Sequence, residues 1–575
     1  MSEIFDKKAP WLAGYGEVDF HLDYPEYSMS EAVMVSAQQS PKFPALVFMG
    51  REISYKKLAQ NIEICSKAFK AMGIGEGDRV TLCMPNVPQT VYCFYALNRI
   101  GAIATMIHPL SAVGEILYYL KETESKYVLT LDGFYKKFVE VMESYKLEKL
   151  IIASIKDELG LVMSVGYSLT QGREIAPVAY DDTVISWKSF IAGGRAYEGD
   201  YLVKMKADDT AVILFSGGTT GVTKGIELTN LNFNALALQT VAMCNKEVKH
   251  KKMLAAMPMF HGFGLGVCVH TMMVAGGQSV LVPRFNVKDY AGLIKKHRPN
   301  YIAGVPTLYE ALIRTNYFDN VDLSCLMGVF SGGDSLSIEL KKKVDSFLEK
   351  HGARVRIREG YGTTECVTAS CLTPYNVEKE GSIGFPYPDT YYMIVKPGTS
   401  EEVPYGEDGE ICLTGPSVMK GYLNKPEENA NTLRLHDDGR IWLHTGDLGV
   451  MDEQGFIYFK QRIKRMIITS GYNVYPSQIE NIIDAHEAVQ LSCVIGIKDP
   501  IKVQRVKAYV VLKNGYTASK ELECSILEHC KKNVAKYAMP YMVEFREELP
   551  KTLVGKIAYT ELEKEENAKL SVENN

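Results

Sequence analysis

Two hydrophobic periods alternate along this chain. Short aliphatic and β-branched runs, RVTLCM from Arg79 to Met84, AVILF from Ala211 to Phe215 and SVLV from Ser279 to Val282, read as strands buried on both faces. Between such runs lie segments with apolar residues every three or four positions, as in Glu31 to Gln39 and Tyr55 to Met72, the pattern of a helix covering a core with one face. The repeated alternation predicts parallel sheets covered by helices. Around Glu410 to Leu413 and Gly455 to Phe459 the strands shorten and Gly/Asp turns separate them, so a small antiparallel, barrel-like section is expected there. A charged stretch, KQRIKRM from Lys460, precedes a fresh αβ pattern and puts the main boundary near Arg462 to Lys464. The final ELEKEENAKLSVENN is charged and poor in apolar residues, and reads as a frayed tail. No internal repeat is present.

One stretch has two readings. From Met253 to Pro283 there is no Asp, Glu, Lys or Arg, and a basic cluster, Lys249 to Lys252, lies just upstream, as at a membrane span with a positive flank. Pro258, two histidines and five glycines interrupt the run, which favours a buried strand–helix–strand passage.

Composition narrows the class. The 575 residues suffice for about three or four units of ordinary domain size, and 46% hydrophobic content can fill large cores. With 64 basic against 69 acidic residues, nothing general favours nucleic acid as a partner. The twelve cysteines form no CxxC pair, which suits reduced thiols in a cytoplasmic protein. The start, MSEIFDKKAPW, lacks the apolar core of a secretory signal, so no export is expected.

The densest chemistry is SGGTTGVTKG, Ser216 to Gly225. Glycines let backbone N–H groups turn toward an anion, hydroxyls add donors, and Lys224 adds a full charge, so the stretch suits phosphate. It is not a Walker loop. That motif needs GxxxxGK[ST], and the required second glycine is replaced by Val222 in one register and Thr223 in the other.

Further along stand YGTTE (Tyr361 to Glu365), TGD (Thr445 to Asp447), GYNVYP (Gly471 to Pro476) and PKTLVGK (Pro550 to Lys556). Singly they are weak; TGD alone is ordinarily a turn. In this order and at these separations the five motifs resemble the adenylate-forming superfamily of acyl-CoA synthetases, firefly luciferase and peptide-synthetase adenylation domains, and the resemblance runs from about Tyr27 onward. It implies a large N-terminal α/β domain, residues 1–462, with parallel-type sheets and the small β section. A small mobile α+β C-terminal domain, residues 463–575, would follow, with a hinge at about Lys464.

The resemblance also implies site roles. Ser216, Thr219, Thr220 and Lys224 would clasp the β- and γ-phosphates of ATP, and Glu365 would hold Mg²⁺ with the Thr220 hydroxyl. Tyr361 would stack on adenine, with Gly360, Glu359 and Asp334 on the segments forming its slot. Thr364 would donate to the α-phosphate or the acyl carboxylate. Asp447 would accept from both ribose hydroxyls, supported by Arg462. Lys556 would bridge carboxylate and α-phosphate in the first half-reaction. Rotation at Lys464 would then withdraw it and bring Gly471 toward the adenylate, opening a path for the CoA thiol. His261, in PMFHGFG, would gate the acyl pocket, and Gly332 and Gly333 would line its channel. A lone histidine in an apolar run is otherwise a core residue, and a Gly-Gly pair otherwise a turn.

Form GGTTG, the long insertion near Ala153 to Gly194 and the opening YPEYSMSEAV look most like medium- and long-chain fatty acyl-CoA synthetases. Three departures stand out: Thr223 where many relatives have proline, Val503-Gln504 where they carry Gly-Glu, and Ile557-Ala558-Tyr559 where an arginine often follows the lysine. These bear on transfer to the thiol more than on adenylation. The expected activity is ATP-dependent ligation of a hydrophobic carboxylic acid to CoA. An aryl-CoA ligase, an enzyme loading a separate carrier protein, and a catalytically silent scaffold are the alternatives. Chain length, a homodimer and peripheral membrane contact stay open.

Overall fold

The computed structural model describes residues 9–573 except 161–162, 165, 168–171, 173–174, 217–222, 376, 470–471, 500–501 and 553–554. Two large sheets organise residues up to about 386. In one, of nine strands, Pro44–Phe48, Gln278–Leu281, Lys252–Ala255, Tyr301–Gly304, Gly328–Ser331 and Ile357–Tyr361 run parallel, and antiparallel strands close both edges. The other, of eight strands, has a parallel centre of Thr210–Phe215, Ile103–Met106, Arg79–Cys83, Tyr127–Leu131 and Lys149–Ala153. The predicted strands and the helices Met29–Gln39 and Tyr55–Ala71 agree with the hydrophobic periods, and Ser28 and Ser54 cap those helices by accepting from Glu31 N and Lys57 N.

Helices Pro88–Arg99 and Asn230–Met243 bury residues all round, as helices covered on every side must. Their buried asparagines satisfy one another: Asn98 Nδ2 donates to Asn230 Oδ1 (2.8 Å), and the N–H groups of Met29 and Ser30 donate to Asn230 and Asn98. Such closure is what buried amides require.

The uncharged stretch from Met253 is a strand, Lys252–Ala255, a π-helical turn Phe263–His270 continuing into Thr271–Val274, and a strand, Gln278–Leu281. Among the described residues no helix is long and apolar enough to cross a membrane. Gly264 explains part of the geometry: a Cβ there would stand 2.2 Å from the Pro258 carbonyl oxygen. The Ser279 and Thr271 hydroxyls donate to the carbonyls of Cys268 and Gly266, the latter also accepting the Thr271 N–H in the wide i to i+5 pattern.

An antiparallel five-stranded sheet follows, built on Tyr391–Val395, Gly409–Thr414 and the long strand Ile441–Met451, which also pairs with Ile457–Arg462. Beyond Arg462 the packing changes. The hairpin Val489–Asp499/Val503–Leu512 carries helices Pro476–Asp484 and Lys520–Asn533 over a core of Ile479, Ile483, Val494 and Ile526. On its other face Cys493, Ile495 and Tyr509 pack against Leu562.

Leu562 belongs to the segment read as a frayed tail, and here the structure corrects the sequence reading: Tyr559–Glu573 is a helix. Leu562 is fully buried, and Glu566 accepts from the Tyr509 hydroxyl and pairs with the buried Lys507 at 2.9 Å. Burying Lys507 without carboxylates would be costly, so the acidic face that looked solvated is recruited to neutralise it.

Candidate active site

Strand Thr210–Phe215 and strand Gly225–Thr229 form a hairpin whose neck is closed by Ser216. Its N–H donates to Lys224 O and its Oγ accepts from Lys224 N, both at 3.1 Å. Thr219 and Thr220 lie outside the described residues. Lys224 Nζ is 2.6 Å from Glu428 Oε2 and 4.3 Å from the centroid of the Tyr422 ring. The Tyr422 hydroxyl in turn donates to Glu365 Oε1 (2.8 Å). Neither Tyr422 nor Glu428 was singled out from the sequence, although GYLNKPEEN holds a recognisable helix start in Pro426.

Glu365 rides on a tight turn, Thr364–Cys366, at the end of strand Ile357–Tyr361. The next residue, Val367, has φ 64° and ψ −57°, and Thr368 N donates to Cys366 O (2.8 Å), a three-residue turn that is strained for a β-branched side chain. Two glycines permit it. A Cβ on Gly262 would lie 1.7 Å from the Val367 oxygen, and one on Gly362 2.1 Å from that of Thr368. The backbone direction after YGTTE is therefore set by close packing, and Thr364 and Glu365 are held on a rigid base.

Tyr361 OH donates to Asp447 Oδ2 (2.7 Å), and Arg462 Nε lies 3.0 Å from Asp447 Oδ1. Burial raises the Asp447 carboxyl, and Arg462 opposes that rise; the same pairing raises the Arg462 guanidinium. Burial and then Asp447 push the Tyr361 phenol well up. The TGD turn is braced from behind. Glu410 Oε1 accepts from Gly446 N (3.0 Å) and Oε2 pairs with His444 Nδ1 (3.0 Å), while Thr445 Oγ1 donates to Ile411 O and accepts from Asp447 N. Burial would raise Glu410; His444 and the Gly446 N–H outweigh it and hold the carboxyl low.

Lys556 reaches this cleft from the C-terminal segment. Its Cε is 3.5 Å from where a Gly333 Cβ would stand, and Gly555 O accepts from Thr307 Oγ1 (2.8 Å). Burial lowers the ammonium; Asp334 raises it, Arg462 lowers it, and Asp447 and Glu365 raise it, which places all four charges around it. His261 is driven down to about 3 by burial and by Lys556, and so stays neutral; its Nδ1 accepts from Phe263 N (3.2 Å). Glu359 accepts from Leu336 N (3.1 Å), a bond that ties the strand to the segment after Asp334, and burial raises its carboxyl to about 7. Lys464 is exposed on the turn Ile463–Arg465, and Gly471 lies outside the described residues.

Beside Lys556 and the glycines opens a cavity of about 430 Å³ including its mouth, walled by Gly332, Gly333, Gly360, Phe263, Val267 and Leu372 among others. Gly332 and Gly360 leave the slot: a Cβ on Gly332 would meet Gly360 O at 3.3 Å. Phe263 and Val267 come from the π-helical turn, whose wall position hydrophobicity alone did not disclose.

The structure thus gathers Lys224 and Glu365 about the Tyr422 ring, Asp447 between Tyr361 and Arg462, and Lys556 beside an apolar slot. Comparison with known proteins bears on this directly. The AMP-binding enzyme family matches residues 33–423 and the AMP-binding enzyme C-terminal domain matches 478–556. The chain is 35% identical over 566 residues to a long-chain-fatty-acid–CoA ligase of Bacillus subtilis, covering 97% of this chain and 98% of that one. It is 32% identical over 579 residues to the ligase of the same name from Salmonella typhimurium, covering 98% and 99%. ATP-bound MatB from Rhodopseudomonas palustris superposes with a TM-score of 0.81 at 25% identity, over 94% of this chain and 99% of that one. The anthranilate CoA ligase AuaEII in complex with anthranoyl-AMP shares the fold, with a TM-score of 0.82 at 23% identity over 96% and 99%. The chain belongs to the AMP-binding enzyme family, as an acyl-CoA ligase homologous to long-chain fatty acid CoA ligases.

Proposed function

We propose that the enzyme activates a fatty carboxylic acid in the cytoplasm by two half-reactions in this one cleft. The acid's carboxylate oxygen attacks the α-phosphorus of ATP, forming acyl-adenylate and expelling pyrophosphate. The CoA thiolate then attacks the acyl carbon, forming the thioester and expelling AMP. The observation that carries this reading is the position of Lys556, a cation beside the acyl slot and within the field of Asp334, Asp447 and Glu365.

In the first step two anions approach one another, and fixed positive charge at the point of attack lowers the barrier. Lys556 supplies it between acid and α-phosphate, with Thr364 as a donor. Ser216, Thr219, Thr220 and Lys224 hold the outer phosphates, for which Lys224 must leave Glu428. Asp447, paired with Arg462, takes the ribose hydroxyls, and Tyr361, Gly360, Glu359 and Asp334 form the adenine slot. An oxygen-donor set suits Mg²⁺, and Glu365, whose Oε1 is fixed by Tyr422, would hold it with Thr220. That ion would neutralise phosphate charge. Neutral His261, Gly332 and Gly333 line the way to the acyl slot.

For the second step residues 463–575 would turn as a body about Lys464 relative to 1–462, exchanging Lys556 for Gly471. The change of core at Arg462 and the exposure of Lys464 support this division. The cytoplasmic assignment is supported by twelve cysteines that are all free. Incubation with MgATP, CoA and fatty acids of graded length tests the proposal: acyl-CoA and AMP should form in equal amounts. AMP without acyl-CoA would instead favour a carrier-protein acceptor.

A further inference from the structure

The acyl cavity has a floor of unexpected polarity. On the neighbouring parallel strands Gly328–Ser331 and Ile357–Tyr361, Phe330 pairs in register with Arg358. Side chains alternate along a strand, so the Phe330/Arg358 pair shares the face of Gly332 and Gly360, two residues deeper, or about 7 Å at the usual rise. Phe330 lines the cavity, and the Arg358 guanidinium lies behind it, 5.8 Å from its ring centroid.

Arg358 is 6% exposed, and its hydrogen bonds go to neutral groups: Nε to Thr373 O (2.8 Å) and Nη1 to Met243 O (2.9 Å). The groups whose charge it senses are Cys244, Tyr387, Tyr375 and Tyr301, none of them a carboxylate. A buried cation held only by dipoles and aromatic faces is expensive unless an anion or strong acceptor joins it. Thr240, 6% exposed, is also among the residues that wall the cavity; its buried Oγ1 makes no hydrogen bond of normal length, and the Tyr387 phenol is the polar group beside it. Leaving such a hydroxyl unmade costs about 1–3 kcal/mol, which an unsubstituted alkyl end cannot recover.

We propose that this cavity selects a carboxylic acid of modest length that carries an acceptor oxygen at the end remote from the reacting carboxylate, a proposal that rests on the cavity being the acyl site of the ligase. Thr240 and Tyr387 donate to that oxygen, and the buried charge of Arg358 favours it electrostatically. A site that satisfies its own polar groups through the substrate discriminates strongly against the analogue lacking them. With the Phe330/Arg358 pair about 7 Å below Gly332 and Gly360, an acid whose remote end meets that pair is of modest length.

The test uses the wild-type enzyme with MgATP and CoA, comparing kcat/KM for acyl-CoA formation from octanoate, 8-hydroxyoctanoate, octanedioate and hexadecanoate, and from benzoate and 4-hydroxybenzoate. The oxygen-bearing member of at least one matched pair should be preferred about tenfold or more, and whether the aliphatic or aromatic pair shows it identifies the source. Thr240→Val should reduce that ratio. Arg358→Leu should reduce it further while Arg358→Lys largely keeps it, and the ratio is read within each variant, so lowered yield of folded protein does not mimic the effect. Equal rates within each pair, or hexadecanoate as the best substrate, overturn the proposal while leaving the ligase intact. No acyl-CoA from any acid overturns the ligase reading and this one with it.

Discussion

The Tyr422 hydroxyl donates to Glu365 Oε1 across 2.8 Å while the same ring lies 4.3 Å beneath the Lys224 ammonium. One side chain thereby couples the carboxylate proposed for Mg²⁺ to the lysine proposed for phosphate. Tyr422→Phe removes the hydrogen bond and keeps the ring. It should raise the Mg²⁺ concentration needed for half-maximal rate by several-fold, in line with about 1 kcal/mol for one such bond, and leave the KM for the acid unchanged. A Mg²⁺ titration of initial rates at saturating ATP and acid checks this; an unchanged Mg²⁺ dependence would remove Tyr422 from the metal site.

Glu359 gives a pH signature to stability. Its carboxyl is raised from 4.5 to about 7 by burial. Between those values the folded protein keeps a proton that the unfolded chain has released, so its contribution is fully present below pH 4.5 and is lost as pH rises through 7. By linkage the loss at pH 8 is on the order of 3 kcal/mol. Glu359→Gln keeps an acceptor for Leu336 N and cannot ionise. Without ligand, denaturant unfolding should show the variant gaining on the parent as pH goes from 5 to 8; a constant difference would refute the assignment.

Val503 carries φ 70° while 61% exposed. A β-branched residue in the left-handed region costs about 1–2 kcal/mol, and glycine avoids that at an entropic cost of about 0.5–1 kcal/mol. Val503→Gly should therefore stabilise the C-terminal portion modestly, by about 1 kcal/mol at most, and Val503→Ala should not. Thermal unfolding of both variants decides between strain and a neutral departure.

What the sequence disclosed and what it withheld follow from the range of the interactions. Strands such as Thr210–Phe215 and the order of the motifs are local, and were legible. The helix Tyr559–Glu573 was not, because its acidic face is explained only by Lys507 and Tyr509 some fifty residues earlier in the chain. Tyr422 and Glu428 escaped for the same reason: each gains meaning from a partner distant in sequence. Arg358 stood next to a recognised motif, yet only strand register puts it under the cavity.

The central claim is that Lys556 acts in adenylation and leaves for thioester formation. Lys556→Ala, assayed in separate half-reactions, tests it most directly. The account predicts that pyrophosphate formation from acid and ATP falls by about 10² or more, as loss of a charge contact worth roughly 3–4 kcal/mol requires. CoA thioester formation from preformed acyl-adenylate should stay within a few-fold of the parent. Equal loss in both half-reactions would contradict a lysine that serves only the first.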